Sequence, residues 1–208
     1  MQLFHTLNIA RPGTITAQIE QDEAQLVKAS QQGDQDAFAS LVQIHQRRVF
    51  NLSLRMLQDY EDANEITQEA FLAAWQGLPS FRSEAQFSTW LYRITYHCCL
   101  RLLECRKRER DLQAVMQAEQ VLEERNQGSE DLIEQRDQQT IVREQIEKLP
   151  ARYRIVLILR HFQEMTYEEM ADILTMPVGT IKTHLFRARN LLKKRLLAQN
   201  LYASDSQK

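Results

Sequence analysis

The sequence predicts an all-α protein of two small helical domains joined by an acidic linker. Three observations lead there. Apolar residues recur at three- and four-residue intervals over most of the chain, and no stretch alternates as a half-buried strand would. Only five Gly and four Pro punctuate 208 residues. Positive charge is concentrated: the net charge is −2, yet Gly179 to Leu197 holds six Lys/Arg and no acidic residue.

Residues 1–21 contain Pro12-Gly13 and no sustained period, and read as a loose extension. A helical block follows over 22–110, broken at Gly33-Asp34, at Asp59-Tyr60-Glu61 and at the turn Gln76 to Ser80. Its helix over Asp62–Gln76 puts Ala63, Ile66, Ala70 and Ala73 on one stripe. Phe71, Leu72 and Trp75 are left on other faces among Glu65, Gln68 and Glu69. So wide an apolar arc needs a neighbouring helix or a partner protein to cover it. A second helix, Glu84–Arg110, has a core stripe of Phe87, Leu91, Ile94, Cys98 and Leu102. Tyr92, Arg93, Tyr96, His97 and Arg101 fall outside it, and its end, Arg106 to Arg110, is basic. Aromatic residues interleaved with bases suit unstacked bases and a phosphate backbone; an ordinary amphipathic helix with half-buried tyrosines has the same pattern.

Residues 111–139, with eight Asp/Glu and two Arg around Gly128-Ser129, read as an acidic linker with some helical character. The second block spans 140–198, and the polar tail 199–208 is expected to fray. In the second block, Thr166-Tyr167-Glu168-Glu169 fits a capping box, and Met170, Ile173 and Leu174 form one stripe. Pro177 cannot continue that helix but suits the start of another, so a turn near Thr175-Met176 separates two helices. In the second of them Ile181, Leu185, Ala188 and Leu192 face inward, leaving Lys182, Thr183, Phe186 and Arg187 off the stripe near the N-terminus. Early positions of a recognition helix contact bases; Arg189, Lys193, Lys194 and Arg195 lie later and suit phosphates. The alternative is a plain helical hairpin with a charged outer face.

These pieces, in this order, resemble the extracytoplasmic-function sigma factors of bacterial RNA polymerase. The resemblance covers about Gln25 to Leu197. Asp62–Trp75 (DANEITQEAFLAAW) and Phe81–Ile94 (FRSEAQFSTWLYRI) are similar to region 2. LPARYRIVLILRHFQEMTYEEMADIL and Pro177–Arg189 (PVGTIKTHLFRAR) are similar to region 4. The resemblance implies a sigma factor that binds core RNA polymerase and directs promoter-specific initiation. The clamp helices of the largest subunit would be met by Asp62, Glu65, Gln68, Glu69, Phe71 and Trp75, and the beta flap is a further implied contact. The minus-10 element would be melted and read by the loop Leu78–Gln86 and the next helix, through Phe81, Arg82, Tyr92, Tyr96, His97 and Arg101. The linker would thread toward the polymerase active centre. The minus-35 element would be read by Thr180, Lys182, Thr183, Phe186, Arg187 and Arg189. Many relatives carry Asn at the position of His97 and Asp at that of Arg101, so the minus-10 preference transfers least. An anti-sigma factor is the other implied partner.

Other classes have less support. GTIKTHL also resembles response-regulator output domains, but the first block lacks the βα alternation of a receiver. No glycine-rich phosphate loop or nucleophile–base pair suggests an enzyme, and no cofactor is expected. His97, Cys98 and Cys99 are consecutive on a helix and point apart, so they do not suit one metal ion. Three Cys make no disulfide framework, and no secretory signal or membrane-length apolar run is read, so a cytoplasmic protein without membrane insertion is expected.

Overall fold

The computed structural model describes residues 12–82, 85–118 and 138–205, and side chains within 22–82, 85–113 and 141–198. The described residues are helical, with no strand among them. The helices are α1 (Pro12–Gln31), α2 (Gln35–Leu57), α3 (Tyr60–Gly77), α4 (Phe87–Ala118), α5 (Gln138–Glu147), α6 (Ala151–His161), α7 (Tyr167–Leu174) and α8 (Val178–Asp205), with one 3-10 turn at Leu78–Ser80.

Local chemistry sets most of the boundaries. The Asp34 carboxylate accepts from the backbone N–H groups of Asp36 and Ala37 at 2.9 and 3.0 Å and starts α2. Asp59 accepts from Asp62 N–H at 2.9 Å and starts α3. The Thr166 hydroxyl accepts from Glu169 N–H at 3.2 Å while the Glu169 carboxylate accepts from Thr166 N–H at 2.7 Å, the expected capping box. α7 stops at Thr175, which is left-handed at φ 53. Pro177 then opens α8, its carbonyl accepting from Thr180 and Ile181.

Several boundaries differ from expectation. α1 begins at Pro12, inside the stretch expected to be loose, because Pro is well suited to a first helical turn. α4 begins at Phe87 rather than Glu84 and runs on to Ala118, into the expected linker. The acidic residues 119–137 lie outside the described residues, as do Ser83 and Glu84 of the loop. α8 continues to Asp205, through most of the tail expected to fray.

Two apolar clusters hold the chain. One joins α1 to α4 through Val27, Leu41, Val49, Ala70, Phe71, Ala74, Leu78, Phe87 and Leu91. The other fuses the two halves of the protein. Leu52, Met56, Ile66, Tyr92, Tyr96, Cys98 and Cys99 from the first half pack in one cluster with Leu149, Ile155, Ile158, Ile173, Ile181 and Leu185 from the second. α7 lies against α4, and α6 against α2.

Candidate nucleic-acid and polymerase interfaces

α8 presents the expected outer face. Ile181, Leu185 and Ala188 are buried and Leu192 is half-buried, which turns Lys182, Thr183, Phe186 and Arg187 to solvent. Phe186 is 66% exposed, a large apolar ring with no partner among the described residues' ring contacts. The Lys182 ammonium lies 5.4 Å from the Tyr167 ring centre, and Arg160 approaches the same ring at 5.1 Å. Arg187 lines a shallow hollow with Tyr153, Asn190, Leu191 and Lys194. The Thr183 hydroxyl donates to the Gly179 carbonyl at 2.9 Å, and Thr180 is half-buried in the first turn. Arg189 Nη2 is 3.4 Å from His161 Nε2. Burial, then Arg189 and Arg160, hold His161 below its ordinary pKa; burial, then Arg152 and Arg187, do the same to His184.

The loop before α4 is fixed from α1. Gln31 Nε2 donates to the carbonyls of Leu78 (3.2 Å) and Phe81 (2.7 Å). Phe81 packs against Trp90 with ring centres 4.8 Å apart and the planes tilted by 34°, and meets Phe87 edge-on at 6.1 Å, while Arg82 is exposed. A Cβ at Gly77 would sit 3.2 Å from Trp90 Cζ2, so this glycine permits the close approach of the indole. Gly77 was read only as part of the turn Gln76 to Ser80, and Gln31 did not stand out in the sequence, because only a contact some fifty residues away gives it a role.

On α4 the expectation fails for the tyrosines. Tyr92 and Tyr96, placed outside the core stripe, are 3% and 4% exposed. They lie in the cluster shared with the second half of the chain. A stripe drawn for one covered face missed them because α4 is covered on two sides, by α2 and α3 and again by α7. His97 and Arg101 do face solvent. Arg101, however, is ion-paired with Glu69 of α3.

On α3, Phe71 is only 7% exposed and packs in the first cluster, 6.5 Å from Phe38 edge-on. This corrects its reading as a surface aromatic: α2 and α4 both close on α3, so Phe71 is core and Leu72, 57% exposed, is the outward apolar residue. Trp75 is half-buried against Phe38 at 4.9 Å. Asp62 is 9% exposed and paired with Arg106, whose Nη2 is 2.6 Å from Oδ1. Glu65 and Gln68 are exposed and Glu69 half-buried. Among the described residues no group of His, Cys, Asp and Glu could hold a metal ion. No described helix is long and apolar enough to cross a membrane.

A helix-turn-helix with a basic outer face, packed on a helical domain that carries its own aromatic-basic helix, defines a two-domain DNA-binding protein. Residues 41–109 match the family model Sigma-70 region 2, and residues 139–192 match Sigma-70, region 4. The chain is 35% identical over 176 residues to the ECF RNA polymerase sigma factor SigW of Bacillus subtilis, covering 82% of this chain and 94% of that one. It is 34% identical over 183 residues to the RNA polymerase sigma-H factor of Pseudomonas aeruginosa, covering 85% and 94%. To the ECF RNA polymerase sigma-E factor of Escherichia coli K12 it is 34% identical over 178 residues, covering 82% and 92%. Its fold is similar to that of CnrH, solved with the cytosolic domain of CnrY, at a TM-score of 0.63 and 24% identity over 85% of this chain and 98% of that one. It is also similar to RpoE of Bartonella quintana, solved with the anti-sigma factor NepR, at 0.56 and 23% over 76% and 96%. The chain belongs to the extracytoplasmic-function sigma factors of RNA polymerase, and directs promoter-dependent transcription initiation.

Proposed function

We propose that the work of initiation is divided among three surfaces. The observation that carries this division is the outer face of α8, where Lys182, Thr183, Phe186 and Arg187 stand together in the opening turns with the helix's apolar residues turned inward. Such a face fits a major groove, with these four side chains at base edges of the minus-35 element. Thr180 and Arg189 flank it. Lys193 and Lys194, further along, meet phosphates.

The minus-10 element belongs to the loop Leu78–Gln86 and α4. Phe81, its carbonyl held by Gln31 and its ring packed against Trp90, and exposed Arg82 receive the unpaired strand. His97 and Arg101 line the outer face of α4, and Tyr92 and Tyr96 become available there when the domains part. Core polymerase is bound by α3, through Glu65, Gln68 and Leu72 with Trp75 at the margin and the Asp62–Arg106 and Glu69–Arg101 pairs beside it. The largest subunit's clamp helices are the partner there, and the beta flap meets the second domain. We place the region 2 domain at 22–110, the linker at 111–139 and the region 4 domain at 140–198. The protein acts in the cytoplasm, has no catalytic activity of its own, and is held in check by an anti-sigma factor.

The test is a duplex library bound by the purified protein with core polymerase. Arg187→Ala should flatten the preference among minus-35 variants, while Glu65→Ala with Leu72→Ala should weaken polymerase binding and leave that preference intact. Loss of polymerase binding from the Arg187 change, with the sequence preference kept, would overturn the division.

A further inference from the structure

The outer face of α8 has an aromatic neighbour on α7. Tyr167 is the first residue of α7, and its ring is half-buried against the second apolar cluster. The Lys182 ammonium, from the second turn of α8, lies over this ring at 5.4 Å from its centre, within reach of a cation–π attraction. The ring is itself held in place. The capping box of Thr166 and Glu169 fixes the turn of backbone that carries it. Arg160 of α6 donates to the Met165 carbonyl at 2.8 Å and sets its guanidinium over the same ring at 5.1 Å. None of the ion pairs among the described residues includes Lys182. Glu169, an acid on the same helix as the ring, is engaged by the Thr166 N–H and hydroxyl.

We propose that Tyr167 is a positioning residue of the minus-35 reader: its ring holds the Lys182 ammonium where it meets a base edge in the major groove. This rests on the minus-35 reading of Lys182 above. Lysine needs such help more than its neighbour Arg187 does. The guanidinium is a planar fork, pre-organised by its own geometry, whereas the ammonium is a strongly hydrated point charge on a flexible four-carbon stem. Left unrestrained, it meets a phosphate as readily as a base, and a phosphate contact reads no sequence. A carboxylate partner would restrain Lys182 but would also cancel its charge and compete with the base for its N–H donors. The face of an aromatic ring restrains it and leaves the charge whole. Donors turned away from the ring are then free for an acceptor edge, and guanine, with N7 and O6 in the major groove, offers two acceptors. An exposed cation–π contact shifts an equilibrium by about two- to fivefold, so Tyr167 sharpens the discrimination made by Lys182 and does not create it.

The experiment joins two measurements on the full chain. The first is nuclear magnetic resonance of the free protein with labelled lysine. In the parent and in Tyr167→Phe, the Lys182 ε-methylene protons should be shifted upfield by the ring current, and Tyr167→Leu should abolish that shift. The second is binding, with core polymerase, to duplexes varied through the minus-35 element. Lys182→Ala should flatten the preference at one base pair. Tyr167→Leu should lower the preference at that same pair by about two- to fivefold and leave the pairs read by Arg187 unchanged. Tyr167→Phe should match the parent, and on the Lys182→Ala background Tyr167→Leu should change nothing further. Should Tyr167→Leu lose helicity, pentafluorophenylalanine in place of Tyr167 carries the test: it keeps the shape of the ring, reverses the charge of its face and should lower the same preference. The positioning role is overturned by a parent without the ring-current shift, by an unchanged preference at that pair in Tyr167→Leu, by a loss in Tyr167→Phe, or by a uniform loss that persists without Lys182. If Lys182→Ala alters no preference while the ring-current shift is present, base reading by Lys182 is refuted, and the positioning role falls with it.

Discussion

Phe71 and Leu72 are neighbours in sequence and opposites in the structure, and exchanging each for Ala separates core from surface on α3. Phe71 is 7% exposed and sits among Ala70, Ala74, Val49 and Leu91. Removing a buried phenyl ring loses its transfer free energy and leaves a cavity, a cost of about 3–5 kcal/mol. For a chain of this size each kcal/mol moves Tm by about 2–4 °C, so Phe71→Ala should lower the thermal midpoint by roughly 6–20 °C. Leu72 is 57% exposed, and its truncation should change stability by no more than about 0.5 kcal/mol. In binding the order reverses. Leu72→Ala should weaken association with core polymerase by about 1 kcal/mol or more, roughly fivefold, if it lies within the interface. Differential scanning calorimetry of both variants, with binding to core polymerase below the Phe71→Ala transition, checks both halves. A midpoint for Phe71→Ala within about 2 °C of the parent would refute the burial argument.

Other expectations follow from the same chemistry. Arg187→Ala should reduce discrimination among minus-35 duplexes by about 1–3 kcal/mol, while Lys194→Ala should weaken all of them alike and lower the salt slope by about one, both read by fluorescence titration at two salt concentrations. Thr166→Ala removes half of the α7 capping box and should cost about 1 kcal/mol in chemical denaturation, whereas Thr175→Gly relieves a β-branched residue at φ 53 and should gain about 0.5–1 kcal/mol. Native alkylation should label exposed Cys105 quickly and spare Cys98 and Cys99, all three reacting once the chain is unfolded; mass spectrometry counts the labels. Burial pushes the Cys99 thiol from 9.0 up to about 12. Between those values the unfolded chain has released a proton that the folded one keeps, so this group's effect is absent below the lower value and destabilises progressively as pH rises through the window. Replacing Cys99 with Ala should flatten the alkaline decline in stability, and an unchanged slope would count against the shift.

The features legible in the sequence are those written in local chemistry. The capping box at Thr166–Glu169, the Pro177 start of α8 and the inward Ile181–Leu185–Ala188 stripe each depend on residues within a few positions of one another. The outer face of α8 followed from the same stripe. Where helices meet more than one neighbour, periodicity lost its hold. A single stripe of Ala63, Ile66 and Ala70 left Phe71 over, but α2 and α4 close on α3 from two sides and bury it. Tyr92 and Tyr96 are hidden by helices more than fifty residues downstream, and nothing on α4 itself signals a second domain lying there. Arg154 and Gln163 went unremarked for the same reason: each has its role only through a group distant in sequence. Opposite charges on α3 and α4 were visible, yet the pairing of Arg101 with Glu69 required the two helices to be set side by side.

Transcription in vitro with purified core polymerase tests the central claim most directly. Core polymerase with the full chain should begin RNA at a small set of discrete positions on genomic fragments, each preceded by shared minus-35 and minus-10 elements, and Arg187→Ala should reduce those transcripts selectively. Core alone should give no such starts. Equal, scattered initiation with and without the chain, or tight duplex binding by the chain to which core polymerase adds nothing, would contradict its action as a sigma factor.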